Sequence, residues 1–199
     1  MIQTVVDAIH RLLDERGPPI VVALDGPSGA GKSTIAATLV GRLPATVIPT
    51  DDFFAADIAS SGWESRTAAE RAHDAIDWRR MRRSALEPLI AGQTASWHPF
   101  DFAGGPRADG TYAIAPTPVR REPAPVIILD GAYSARPELA DVIDLSVLVE
   151  VSASIRLTRL AAREDPAFLA AWHTRWDAAE AYYFTIVRPP AAFDLVIAG

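Results

Sequence analysis

The chain is 199 residues long, 49% hydrophobic and 22% charged, with a formal net charge of −6 and a pI near 5.2. That length fits one domain of generous size, and an acidic chain is a poor electrostatic match for a nucleic-acid backbone or an anionic membrane surface. Cysteine is absent, which excludes disulfides, thiol nucleophiles and cysteine-ligated metal sites. No apolar run has the length of a membrane span or the layout of a signal segment, so a cytoplasmic protein is expected.

In chain order, Val5, Val6, Ile9, Leu12 and Leu13 recur at helical spacing and predict a helix over 5–16, stopped by Gly17-Pro18-Pro19. Residues 20–24 are a continuous apolar run rich in β-branched side chains, the pattern of a strand buried on both faces. A glycine-rich turn leads to a helix expected at 34–43 and a short strand at 45–49. The stretch 52–71 has mixed character and reads as loop with about one helical turn. Residues 77–91 read as a helix that buries Met81, Leu86, Leu89 and Ile90, with Gly92 as its C-cap. Between 95 and 125, prolines at 99, 106, 116, 118, 123 and 125 accompany two glycine turns. This predicts a β-hairpin excursion, 97–102 against 112–115, and not a second domain. Strands at 126–129, 145–151 and 193–197 and helices at 153–164 and 167–187 complete the pattern. Strands alternating with helices predict an α/β fold with a mostly parallel sheet, over one domain spanning 1–199.

Gly26-Pro27-Ser28-Gly29-Ala30-Gly31-Lys32-Ser33 fits the spacing G-x-x-x-x-G-K-[ST] between a strand and a helix. Glycines let backbone N–H groups converge on phosphate oxygens, and the following helix N-terminus adds its positive dipole end. Lys32 would reach the β- and γ-phosphates, and the Ser33 hydroxyl would coordinate Mg²⁺. The motif therefore predicts a nucleoside triphosphate and magnesium as cofactors.

Two carboxylates follow strands. Asp51, in Thr50-Asp51-Asp52-Phe53-Phe54, comes directly after the second strand. In a parallel sheet, ligands collect at the carboxyl ends of strands. Asp51 is thus a candidate base for an acceptor hydroxyl, or a ligand of Mg²⁺ through water, although an Asp pair also serves as a helix N-cap. Asp130 follows four apolar strand residues in the arrangement that orders Mg²⁺, and Asp130-Gly131 is equally an ordinary turn pair. Arg156, Arg159 and Arg163 share one face of the 153–164 helix and are candidate phosphate clamps, Arg163 first because it adjoins Asp165-Pro166. The four histidines are too scattered for a metal site, and Trp97 is a candidate for lining a substrate pocket.

Together these residues resemble the uridine kinase and phosphoribulokinase group of P-loop kinases, which includes nicotinamide riboside kinase. The likeness runs over Asp25 to Thr34, Thr50 to Phe54, Asp74-Ala75-Ile76-Asp77-Trp78, His98-Pro99-Phe100-Asp101-Phe102, Ile127 to Gly131 and Arg156-Leu157-Thr158-Arg159. It implies a P-loop NTPase three-layer sandwich with a five-stranded, mostly parallel sheet and a helical lid over 153–187. It also implies ATP-dependent phosphorylation of a small-molecule hydroxyl, with Asp51 as base. Thr34 would touch the α-phosphate, and Arg159 and Arg163 the ATP. Asp52, Phe54, Arg71, Trp97 and Asp101 would face the substrate. By alignment, the carboxylate that anchors ribose in uridine kinases falls at Arg71, a substrate histidine at Gly105 and a substrate arginine at Leu160. A register shift would bring Asp74 or Asp77 to the first position but leave the other two contacts missing. These departures predict an acceptor other than uridine. A nucleotide-dependent switch or accessory ATPase without a small acceptor is the alternative, and a homo-oligomer is left open.

Overall fold

The computed structural model describes residues 2–163 and 165–199, without the side chains of residues 163, 167–169 and 172. Five parallel strands form the main sheet: β1 (Ile20–Asp25), β2 (Ala45–Pro49), β5 (Val126–Asp130), β6 (Leu145–Glu150) and β7 (Leu195–Ala198), in the spatial order β2-β5-β1-β6-β7. The expected parallel sheet is therefore present. Every residue of β1 and β5 is buried, as continuous apolar runs in a doubly covered sheet require.

Period-two alternation divides that sheet between two cores. Ile20, Val22 and Leu24 pack with Val5, Val6 and Ile9 of α1 (Ile2–Arg16) and Ile35 and Leu39 of α2 (Lys32–Val40). Val21 and Ala23 face the other way, towards Phe53, Trp63, Met81, Leu86, Leu89 and Trp176. The result is three layers, helix–sheet–helix.

The stretch expected to be loop is largely helical: α3 (Ser60–Ser65) and α4 (Ala68–Asp74) occupy it, after a short 3₁₀ turn at Thr50–Phe53. Two local causes explain the difference. Thr67 and Glu70 form a reciprocal capping box at the start of α4, which satisfies orphan N–H groups. Trp63 is fully buried and anchors α3 to the second core. The next helical run comprises α5 (Trp78–Met81), a π-turn at Arg82–Leu86 and α6 (Glu87–Ile90). The wide turn ends two residues before Pro88, which has no N–H for the α-helical ladder.

The excursion is a hairpin, with its ladder displaced from the expected place. β3 (Ala95–Trp97) pairs antiparallel with β4 (Val119–Arg121), and the expected pairing survives as a single bridge, Phe100 to Ile114. The prolines between them, lacking N–H groups, interrupt the ladder. Helices α7 (Ala153–Arg163) and α8 (Pro166–Tyr182) connect β6 to β7, and a π-turn at Tyr183–Val187 continues α8.

The register brings three strand ends together. Asp130 lies opposite Pro49 on one side and Leu24 on the other. The loops that follow Asp25, Pro49 and Asp130 therefore open onto one edge. Gly131 makes the closest of these approaches: its φ is 152°, and a Cβ there would overlap the Thr50 hydroxyl. Gly131→Ala is expected to destabilise the fold by about 1–3 kcal/mol through overpacking, read as a lower urea midpoint, and to displace the neighbouring Asp51.

Candidate active site

The loop Gly26 to Ser33 follows β1 and opens α2 at Lys32, two residues earlier than expected, so the lysine and serine sit in the first helical turn. Gly31 is the N-cap, with φ 100°. Lys32 is folded over its own loop. Its Nζ donates to the carbonyls of Gly26 at 2.7 Å and Pro27 at 3.1 Å. Ser28, Gly29, Gly31, Lys32, Ser33 and Thr34 share a cavity of about 310 Å³ with Asp51, Asp130, Arg159 and Leu160. The motif and both strand-end carboxylates thus meet in one place.

Asp130 is nearly buried. Burial pushes its carboxyl above the ordinary aspartate range, opposed by a hydrogen bond from Ser33 and the charge of Lys32. Its Oδ1 is buried and accepts no hydrogen bond. A shielded carboxylate oxygen beside a serine hydroxyl suits a hard cation that takes oxygen ligands. Among the described residues no group of three or more His, Asp or Glu side chains forms a metal cage. An ion here would complete its shell with phosphate and water oxygens, the usual habit of Mg²⁺.

From α7, Arg159 donates Nη1 to the carbonyl of Ala30 at 3.1 Å, which places its cation on the rim of the loop. Arg156 reaches the carbonyl of Ser28 at 2.8 Å. The side chain of Arg163, the favoured clamp of the three, lies outside the described residues.

Several expected substrate residues have other partners. Arg71 does not line the phosphate cavity: its guanidinium donates to the carbonyls of Trp63, Glu64 and Arg175 and ties α4 to α3 and α8. Arg71→Met should therefore lower stability by about 1.5–3 kcal/mol, the worth of hydrogen bonds to a charged group, as read by urea denaturation, while leaving nucleotide affinity unchanged. Trp97 is 3% exposed, and its Nε1 donates to Asp52 Oδ2 at 2.8 Å. The pair joins the 3₁₀ turn to the hairpin, and burial raises the Asp52 carboxyl against the pull of Trp97, Arg121 and Arg80. Asp101 accepts from the N–H groups of Ala103 and Gly104 and shapes its own turn. Phe54 lies among Trp63, Phe100, Phe102 and Trp176, with ring centroids 5.2–6.4 Å away. Asp74 pairs with Arg66 and His73, and Asp77 caps α5 at Arg80. Both carboxylates that a register shift would have offered have local partners.

Two important groups were missed. Asp25 is wholly buried and accepts from the N–H groups of Gly26, Tyr133 and Ala135 and from the Tyr183 hydroxyl. Burial raises its carboxyl, and the hydrogen bonds from Ala135, Tyr183 and Gly26 and the charge of Lys32 oppose the rise. The signal was a single charge closing an otherwise apolar strand. Glu180, 4% exposed, binds the Ser28 N–H and hydroxyl from α8. Nothing in its local sequence marks it.

Residues 21–98 match the family described as AAA domain. The chain is 28% identical over 151 residues to a uridine kinase of Halobacterium salinarum, a match that covers 74% of this chain and 63% of that protein. The matched region is thus less than two thirds of that relative's length. In fold it is similar to a candidate fructose transport system kinase of Silicibacter sp. TM1040, with a TM-score of 0.68 and 24% identity over 99% of this chain and 98% of that one. It is also similar to a candidate uridine kinase of Bacillus stearothermophilus, with a TM-score of 0.66 and 18% identity over 98% and 99% of the two chains. No helix among the described residues is long and apolar enough to cross a membrane. The chain is thus similar in sequence to uridine kinases and shares its fold with these solved P-loop structures.

Proposed function

We propose that this chain is a single-domain, ATP-dependent kinase that transfers the γ-phosphoryl group to a hydroxyl of a small molecule other than uridine. The observation that carries this reading is the convergence of the P-loop, Ser33, Asp130 and Asp51 on one cavity. A loop that only bound nucleotide would not need a second, exposed carboxylate on the rim where an acceptor enters.

Ser33 and Asp130 would hold Mg²⁺, which when bound neutralises charge on the phosphates and aligns the terminal one. Lys32 would exchange its two loop carbonyls for phosphate oxygens. Arg159 would meet the charge that develops during transfer. Asp51 would orient the acceptor hydroxyl and take its proton as the oxygen attacks phosphorus and the bond to the ADP oxygen breaks. Such a site works mainly by positioning and electrostatic stabilisation.

The departure from uridine is supported by Arg71, committed to backbone carbonyls, and by Leu160, which lines the cavity where a cationic substrate contact is expected. Screening nucleosides, vitamins, sugars and amino sugars with ATP·Mg²⁺, read by ADP release and product mass, tests both halves. Phosphorylation of a non-uridine hydroxyl compound is the expected result. Uridine turned over with ordinary kinase efficiency would overturn the exclusion, and ADP release with no phosphorylated product from any acceptor would favour the ATPase alternative.

A further inference from the structure

Ser28 is gripped by the two helices that lie between β6 and β7. Arg156 on α7 donates Nε to the Ser28 carbonyl at 2.8 Å. Glu180 on α8 accepts from the Ser28 N–H at 3.0 Å and from its hydroxyl at 2.5 Å with a single oxygen, Oε1. The other oxygen, Oε2, accepts from Arg156 Nη2 at 2.9 Å and closes the ring. The Glu180 side chain is 5% exposed and that of Arg156 is 22% exposed. Neither lines the cavity shared by the P-loop, Asp51 and Asp130; both line a separate cavity of about 690 Å³.

The charges in this ring are not equivalent. A buried carboxylate beside a loop built to receive a triphosphate repels that ligand, and the effect is strong where water is excluded. The arginine cancels the repulsion and shares in holding the loop. Removing one partner of a buried pair leaves an uncompensated charge, which costs more than removing both.

We propose that Arg156 and Glu180 are positioning residues that fix the Ser28 peptide of the P-loop from the α7–α8 helices, with Arg156 also neutralising Glu180 so that the loop accepts the triphosphate. This rests on the nucleotide-binding reading above.

The test is direct titration of full-length protein with ATP·Mg²⁺, alongside thermal unfolding without nucleotide. Arg156→Met should weaken binding by roughly ten-fold or more, because Glu180 keeps its charge. Glu180→Gln keeps an acceptor for Ser28 but turns its NH2 against Arg156 Nη2, so it should bind more weakly than the parent and more tightly than Arg156→Met. The double variant should bind more tightly than Arg156→Met but not as tightly as the parent, because it removes the uncompensated charge without restoring the hold on the Ser28 carbonyl. Arg156→Lys, which keeps the charge without the fork, guards against misfolding of Arg156→Met and should also bind within about three-fold.

Unchanged binding in Arg156→Met would overturn the inference. So would a double variant as weak as Arg156→Met, or an Arg156→Lys variant that folds and binds ten-fold worse. A parent chain that binds no nucleotide would overturn the kinase reading itself, and this inference with it.

Discussion

Asp51→Asn is expected to bind ATP·Mg²⁺ as the parent does and to transfer phosphate about 10²–10⁴-fold more slowly, the usual contribution of a positioned general base. Asp51 is solvent-exposed, lies two residues beyond the end of β2 and lines the same cavity as Asp130. The substitution keeps size and removes the charge, so folding should be unaffected. A drop in kcat with KM for ATP held is the signature of an interaction made in the transition state. The control is Asp52→Asn. Asp52 has the same chemistry one residue later, but its carboxylate accepts from Trp97 on the other side of the 3₁₀ turn. It should lower stability and spare transfer. Retained full activity in Asp51→Asn would remove its role as base, and loss in Asp52→Asn alone would pass that role to its neighbour.

Lys32→Ala should abolish measurable ATP turnover, with a loss of at least about 10²–10³-fold, the effect of deleting one preorganised charge-stabilising group. Its consequences should differ from those of Asp51→Asn, because in the proposed site Lys32 would hold the nucleotide in both the ground and transition states. Binding and transfer should therefore fall together. Without nucleotide, Nζ is held by the carbonyls of Gly26 and Pro27, so binding must exchange these bonds for phosphate oxygens. The substitution also removes two loop braces, and a small loss of thermal stability should accompany the loss of turnover. Wild-type turnover by the variant would show that the loop does not serve as a phosphate site.

Much of this was legible in the sequence for identifiable reasons. β1 and β5 are apolar at every position but the last, and a run of that kind is stable only where a sheet is covered on both faces. The loop from Gly26 to Ser33 was legible because its spacing follows from the size and charge of a phosphate. The helices at 60–74 were not foreseen. The α4 capping box at Thr67 and Glu70 was present in the letters, but α3 depends on burying Trp63 against Trp176, far away in the chain. Trp97 and Arg71 were expected at a substrate. Which carbonyls and carboxylates come within reach of their donors depends on packing between segments distant in the chain.

The division follows from the range of the forces involved. The chain by itself determined what depends on neighbours in sequence: the strand periods, the glycine-rich loop, and the carboxylates that end apolar runs. The tertiary structure alone decided which of those carboxylates share a cavity with the loop. Parallel register set Asp130 between Pro49 and Leu24, and Gly131 allowed Thr50 close enough to bring Asp51 to the same rim. It also brought Glu180, 152 residues along the chain from Ser28, onto the loop. Contacts at such separations are set by packing of the two cores against the sheet, and no local pattern encodes them.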